Sequence, residues 1–284
     1  MEMRSALPSS APPAPVESDD GDNDEETAAM VKMGSFDGEV RKVTDASEEI
    51  MLLWGLQQPT FSNPNAFVNQ SALTLRLDAC GHALSIIQSP SSLMSPGVTG
   101  AVMWDSGIVL GKFLEHAVDT GRLHLQGKRA IELGSGCGLV GCIAALLGAQ
   151  VVLTDLPDRL RLLRKNVETN LGLGVMRGSA MVRELIWGEE PDPDVLEPLA
   201  DYVLGSDVVY SEATVEDLLA TLTQLCGTHT TVFLAGELRN DAVLEYFLVA
   251  AMEDFLVGRV DQTDWHPDYC SQRVVMYVLT KKPK

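Results

Sequence analysis

The chain has 284 residues, 45% of them apolar, and a formal net charge of −19 at pH 7. This length and apolar content allow one large α/β domain or two small domains with a real core. No run approaches the 18 apolar residues of a membrane span, and no basic stripe of the kind that binds phosphate backbones occurs. We therefore expect neither a membrane nor a nucleic acid as partner. We also expect the protein to be a monomer.

The cysteines and histidines are scattered along the chain. The five cysteines are irregularly spaced without a C-x-x-C pair, and the five histidines show no ligand spacing. We expect free thiols in a reducing compartment and no metal site. The first residues, rich in proline, serine and acids, lack the apolar core of a signal peptide. The expected location is the cytoplasm, with the nucleus as an additional one.

Residues 1–46 form a low-complexity segment in which prolines lead into an acidic run at 17–26. Such a composition buries too little apolar area to offset the entropy of ordering, which predicts a disordered acidic tail. Residues 47–284 then form the folded domain. In it, Leu73, Leu75 and Leu77 alternate with polar residues before a turn and a second apolar stretch. This pattern predicts a β-hairpin at about residues 71–88.

A helix is predicted to begin at Trp104-Asp105-Ser106, with Asp105 or Ser106 as its N-cap. Trp104 is either a core aromatic or an aromatic wall beside a ligand. Strands and helices then alternate until the last two strands, which a loop joins. The strand candidates are 129–133, 150–154, 180–186, 202–205, 230–235, 255–260 and 273–279. This order predicts an α/β fold with a seven-stranded, mostly parallel sheet and an antiparallel last strand.

Glycines at 134, 136, 138 and 141 lie between the first of these strands and the following helix. Glycine lets the backbone approach a ligand closely, and a helix N-terminus offers unpaired N–H groups and a positive dipole end. The stretch therefore predicts a nucleotide-like ligand. Read from Gly136 it is G-x-G-x-x-G, which indicates NAD. Read from Glu132 it is E-x-G-x-G-x-G, and that carboxylate favours the sulfonium and ammonium of S-adenosylmethionine.

Polar or aromatic residues follow the later strands, at the edge where an open α/β sheet binds ligands. Asp155, 21 residues after Gly134, either binds the hydroxyls of a ribose or caps the next helix. Trp187 either stacks on an adenine or belongs to the core. Asp207 and Tyr210 either orient an amine or form a structural pair. The acidic lining favours the sulfonium cofactor over NAD.

The ordered set of motifs resembles the class I, seven-strand S-adenosylmethionine-dependent methyltransferases. More narrowly, it resembles the family-16 protein-lysine methyltransferases, in the methyltransferase-like 21 branch that modifies chaperones and an AAA ATPase. The motifs lie at residues 102–107, 132–141, 153–155, 185–188 and 204–210. The resemblance covers about residues 70–282 and implies a Rossmann-like fold, S-adenosylmethionine as cofactor, and a protein substrate that presents a lysine.

The resemblance also implies residue roles. The expected cofactor-binding residues are Trp104, Glu132, Gly134, Ser135, Gly136, Asp155, Trp187 and Ser206, and the expected catalytic residues at the lysine entrance are Asp207 and Tyr210. Three other functions stay open. They are a nicotinamide-dependent oxidoreductase, a methyltransferase with a small-molecule acceptor, and a non-catalytic cofactor-binding scaffold.

Overall fold

The structure is a computed structural model that describes residues 30–61, 63–94, 100–172 and 177–283. The described strands are β1 (Met30–Met33), β2 (Phe36–Val43), β3 (Thr74–Ala79), β4 (His82–Ile87), β5 (Arg129–Leu133), β6 (Gln150–Asp155), β7 (Ser179–Glu184), β8 (Tyr202–Ser206), β9 (Thr231–Glu237), β10 (Phe255–Val260) and β11 (Val274–Lys281). The described α-helices are α1 (Ala46–Gln57), α2 (Asp105–Asp119), α3 (Leu139–Leu146), α4 (Leu160–Asn170), α5 (Pro193–Leu196), α6 (Glu212–Leu225) and α7 (Asp241–Asp254). No described helix is both long and apolar enough to cross a membrane.

The central sheet has nine described strands in the order β1-β2-β10-β11-β9-β8-β5-β6-β7. Strands β5 to β9 are parallel, whereas β11 is antiparallel to both β9 and β10. All seven predicted strands are present, and the predicted α/β fold with a mostly parallel sheet and an antiparallel last strand is confirmed. The strand count differs from the prediction because β1 and β2 extend the sheet at one edge.

The predicted boundary between the disordered tail and the folded domain, at residue 46, lies too late in the chain. Residues 1–29 lie outside the described part of the chain, but residues 30–43 form the hairpin of β1 and β2, and β2 pairs with β10. Side chains in β2 alternate between buried and exposed, and the ring of Phe36 packs against Phe113 and Phe233. The acidic run at 17–26 dominates the composition of the segment and hides this short apolar alternation.

The predicted hairpin is confirmed as β3 and β4, which form a separate antiparallel pair from Thr74↔Ile87 to Ala79↔His82. Residues 47–66, for which the sequence shows no clear pattern, include most of α1. The side chain of Asp45 caps this helix by accepting a hydrogen bond from Glu48 N. Sequence periodicity does not predict α1, because the apolar residues of this helix are distributed around its circumference instead of forming one stripe.

Neither predicted N-cap begins helix α2. Trp104 stands at the N-cap position, and Ser106 is fully buried. The Asp105 carboxylate instead accepts hydrogen bonds from the backbone N–H groups of residues 66, 67 and 68. Asp105 therefore ties the segment before β3 to the start of α2, so that Trp104 lies at the ligand edge of the sheet.

Helices cover both faces of the sheet and form two cores. One core lies under α2, α3 and α4, and the other under α1, α6 and α7. The strand order reverses between β5 and β8, because β6 and β7 lie on one side of β5 and β8 and β9 on the other. A crevice at the carboxyl ends of the strands is the usual ligand site at such a switch point.

Candidate active site

A cavity of about 280 Å³ lies at this switch point, between the turns that follow β5 and β8. Its size is close to the lower end of the range for small-molecule sites, roughly 300–1,000 Å³. Nine of the ten predicted site residues line the cavity: Trp104, Gly134, Ser135, Gly136, Asp155, Trp187, Ser206, Asp207 and Tyr210. Residues from five separate motifs are thereby brought into one concave surface.

The glycine turn after β5 forms one wall of the cavity. Gly134 and Gly136 have φ angles of +58° and +52°, in the left-handed region that glycine adopts without strain. A Cβ atom at Gly134 would lie 3.2 Å from Cζ2 of Trp187, and one at Gly136 would lie 3.1 Å from the carbonyl oxygen of Gly100. The backbone can therefore lie this close to its neighbours only because these two side chains are absent.

Glu132 is the one predicted site residue that does not line the cavity. Its side chain is almost fully buried, and Oε2 accepts a hydrogen bond of 3.0 Å from the backbone N–H of Gly141 in α3. Burial raises the pKa of its carboxyl to about 8, so the group is mostly protonated at neutral pH. The structure therefore corrects the expected role of Glu132: its carboxyl does not line the cavity and instead joins β5 to the first turn of α3.

Asp155, at the end of β6, connects the glycine turn to the next strand. Its Oδ2 accepts a hydrogen bond of 2.6 Å from Gly136 N, and its Oδ1 accepts one of 2.8 Å from Leu156 N. It does not cap the next helix, because α4 begins only at Leu160. Burial raises the pKa of Asp155. The carboxylate thus holds the turn in place and presents its remaining lone pairs to the cavity.

Two aromatic side chains, Trp187 and Tyr210, also line the cavity. The ring of Trp187 lies under the glycine turn, and its centroid is 6.5 Å from that of Tyr210. Tyr210 is about half exposed, at 46%, so its ring forms part of the rim. Burial of the rest of the side chain raises the pKa of its phenol. The wall offers aromatic faces of the kind that stack on a base.

Asp207 follows β8 and has an unusual backbone conformation for a residue other than glycine, with φ +56°. Its side chain is 6% exposed and does not pair with Tyr210. Oδ1 accepts a hydrogen bond of 3.1 Å from Glu237 N and lies 2.5 Å from the guanidinium of Arg239. Oδ2 is buried and has no hydrogen-bond partner among the described residues. One oxygen is therefore held by two donors, and the other is buried without a partner among the described residues.

Sequence reasoning missed Glu237 and Arg239, which stand at the carboxyl end of β9 beside Asp207. The guanidinium of Arg239 lies 4.3 Å from the ring centroid of Trp104, and Glu237 accepts a hydrogen bond of 3.3 Å from Asp105 N. Burial, reinforced by the charge of Asp207, raises the pKa of Glu237 to about 7. The rule that placed Asp207 after β8 would also have found these two, since parallel strands end at the same edge.

Comparison with known proteins identifies relatives of one enzyme class. The sequence profile of a lysine methyltransferase family matches residues 87–253. The protein N-lysine methyltransferase METTL21A of Mus musculus is 42% identical over 164 residues, which cover 56% of this chain and 70% of that protein. The EEF1A lysine methyltransferase 3 of Mus musculus is 40% identical over 181 residues, which cover 64% of this chain and 73% of that protein.

Among solved structures, the magnesium protoporphyrin IX methyltransferase of Synechocystis PCC 6803 with bound SAM is similar over 63% of this chain and 80% of that chain. The TM-score is 0.43 and the sequence identity 16%. The family profile matches this chain from the last residue of β4 into α7. The match therefore includes all five strands whose ends surround the cavity, β5 to β9.

Proposed function

Because this chain belongs to the lysine methyltransferase family, we propose that it transfers a methyl group from S-adenosylmethionine to the side chain of a lysine in a protein. The observation that carries the proposal is the buried, unpaired Oδ2 of Asp207, a residue that lines the same cavity as the glycine turn, Asp155 and Trp187. On this proposal, the cofactor site and the amine acceptor site lie at one edge of the sheet. The family membership decides against the nicotinamide-dependent oxidoreductase.

The residues of the cavity fit S-adenosylmethionine. The glycine turn leaves room that Cβ atoms would fill, Asp155 offers lone pairs for ribose hydroxyls, and Trp187 offers an aromatic face for the adenine. Ser206 and Trp104 line the same cavity as Asp207, and we assign them to the methionine part of the cofactor. When bound, S-adenosylmethionine supplies a methyl group already activated by a positively charged sulfur.

The protein's own contribution is positioning, because the methyl group needs no further activation. Holding two reactants in a reactive geometry supplies about 7–11 kcal/mol of a barrier. Asp207 accepts a hydrogen bond from the amine through Oδ2 and so aims the nitrogen lone pair. Tyr210 and Trp104 surround the amine with aromatic surface and limit access of water. Free lysine has a pKa of about 10.4. Burial against these aromatic rings lowers the pKa of the amine, whereas the Asp207 carboxylate raises it.

For the substrate, we propose a chaperone or an AAA-ATPase-type protein, with EEF1A as a further candidate because one relative carries that name. The net charge of −19 favours a basic surface around the lysine. We further propose that the enzyme acts as a monomer in the cytoplasm and also in the nucleus, without binding nucleic acid or a membrane.

The test is incubation of the full-length protein with tritiated S-adenosylmethionine and a lysate of the same species, followed by gel electrophoresis. Mass spectrometry of the labelled band then identifies the modified residue. The expected result is one or a few labelled proteins that carry a methylated lysine. Label in small molecules only would indicate a different acceptor class, and cofactor binding without any label would indicate a non-catalytic scaffold.

A further inference from the structure

Four charged side chains meet where β8, β9 and the start of α2 come together. They are Asp105, Asp207, Glu237 and Arg239. The guanidinium of Arg239 lies 2.5 Å from Asp207 and 4.0 Å from Glu237, at the nearest atoms. The proposed acceptor site is therefore an ionic cluster in which a cation stands directly beside the carboxylate that receives the amine.

The two oxygens of Asp207 have different surroundings. Oδ1 receives both the guanidinium of Arg239 and the backbone N–H of Glu237, whereas Oδ2 is buried without a partner among the described residues. Leaving a buried acceptor unsatisfied costs about 1–3 kcal/mol. Asp207 lines the cavity with 6% of its side chain exposed. An N–H donor that enters there and reaches the buried Oδ2 would recover this free energy.

We infer that Arg239 is a positioning residue for methyl transfer: it fixes Asp207 through Oδ1, leaves Oδ2 to the acceptor amine, and offsets the charge of the carboxylate. This inference rests on the function proposed above. A carboxylate alone would raise the pKa of a neighbouring amine and hold it as unreactive ammonium. With Arg239 beside it, Asp207 can orient the amine by a hydrogen bond after the ammonium has released its proton to water.

Trp104 explains why an arginine suits this position. The guanidinium lies 4.3 Å from the centroid of the Trp104 ring, close enough for a cation–π contact. A planar guanidinium can stack on a ring and donate to a carboxylate at the same time, which the ammonium of lysine does less well. Arg239 is 34% exposed, so Trp104 and Asp207 together restrict a side chain that solvent would otherwise leave mobile.

The inference is tested by measuring the pKa of an amine bound beside Asp207. The probe is 3,3,3-trifluoropropylamine, a short analogue of the lysine side chain whose fluorine signal reports protonation. It is titrated by ¹⁹F NMR in the presence of full-length protein saturated with S-adenosylhomocysteine. In R239Q the pKa of the bound amine should be about one unit higher than in wild type, as for loss of one nearby charge in a partly solvated site. In R239K, which keeps the positive charge, the pKa of the bound amine should return most of the way to the wild-type value.

R183Q is the matched control. Arg183 is 35% exposed and lies 3.7 Å from an aspartate, Asp194, much as Arg239 is 34% exposed beside Asp207, but it does not line the cavity. The bound amine should titrate in R183Q as in wild type. Thermal unfolding of each variant separates a local change of charge from a loss of folding.

An equal pKa of the bound amine in wild type and R239Q, or no bound signal in wild type, would overturn the inference. A second test uses the lysate protein that the wild-type enzyme labels as substrate. The rate of its methylation should rise with pH at a higher pH in R239Q than in wild type, because the acceptor amine loses its proton later. A labelled protein whose methylation rises at the same pH in both enzymes would reject the role of Arg239 and leave the proposed function standing. No labelled protein with wild-type enzyme would reject the proposed function itself.

Discussion

The carboxylate of Asp155 and the backbone N–H of Gly136 form a hydrogen bond of 2.6 Å. This bond joins the end of β6 to the glycine turn after β5, so one side chain both shapes the turn and lines the cavity. Because Asp155 does both, loss of its carboxylate should loosen the conformation of the glycine turn and lower the affinity for a ligand together. Changes to Asp155 should therefore affect cofactor binding before they affect the acceptor.

Asp155→Ala should weaken binding of S-adenosylhomocysteine by about 10- to 100-fold, the range for loss of a hydrogen bond to a charged group. Isothermal titration calorimetry measures the dissociation constant directly. Glu168→Ala is the control, because Glu168 is an exposed acid of α4 that does not line the cavity. An unchanged dissociation constant in Asp155→Ala would count against the ribose assignment.

Asp207→Asn should abolish most of the methyl transfer while changing the affinity for S-adenosylhomocysteine less than about threefold. Asparagine tolerates the left-handed backbone at this position better than alanine does, so the substitution tests the charge with little strain. The tritium assay measures transfer and calorimetry measures binding. A large loss of cofactor affinity would show that Asp207 does not serve the acceptor alone.

Gly134→Ala should destabilise the protein by about 1–2 kcal/mol, the cost of placing an alanine in the left-handed region. The added Cβ would also lie 3.2 Å from Trp187 and 3.3 Å from Val208, so cofactor affinity should fall as well. Urea unfolding and calorimetry measure the two effects. In the control Gly172→Ala, the added Cβ meets no described atom within 4 Å, and little change is expected. If Gly134→Ala is as stable as wild type, the glycine turn can change its backbone conformation to accept a side chain at this position.

Local patterns in the sequence predict most of this fold and much of the candidate site. Asp155 and Asp207 could be placed because each directly follows a buried strand, and such strand ends meet at one edge. Glu132 could not be placed, since its position within β5 does not reveal that its carboxyl turns toward Gly141 in α3. The pairing of Asp207 with Arg239 is likewise a tertiary contact between the ends of two strands.

The buried carboxyl of Glu132 makes the stability of the protein depend on pH. Its pKa is raised from 4.5 to about 8 in the folded state, so between these values the folded state holds a proton that the unfolded state has lost. The contribution of this group to the free energy of unfolding therefore falls as pH rises, by up to about 1.4 kcal/mol per pH unit.

Glu132→Gln replaces the protonated acid with a neutral side chain of similar shape and removes this dependence. Relative to wild type, the free energy of unfolding of the variant should therefore increase steadily between pH 5 and pH 8. Urea unfolding at several pH values measures the difference. The control is Glu253→Gln, at an exposed position of α7. Its free energy of unfolding should change with pH in the same way as that of wild type. If that of Glu132→Gln also changes in the same way as wild type, the carboxyl of Glu132 is ionised in the folded protein, and its charge does reach the glycine turn.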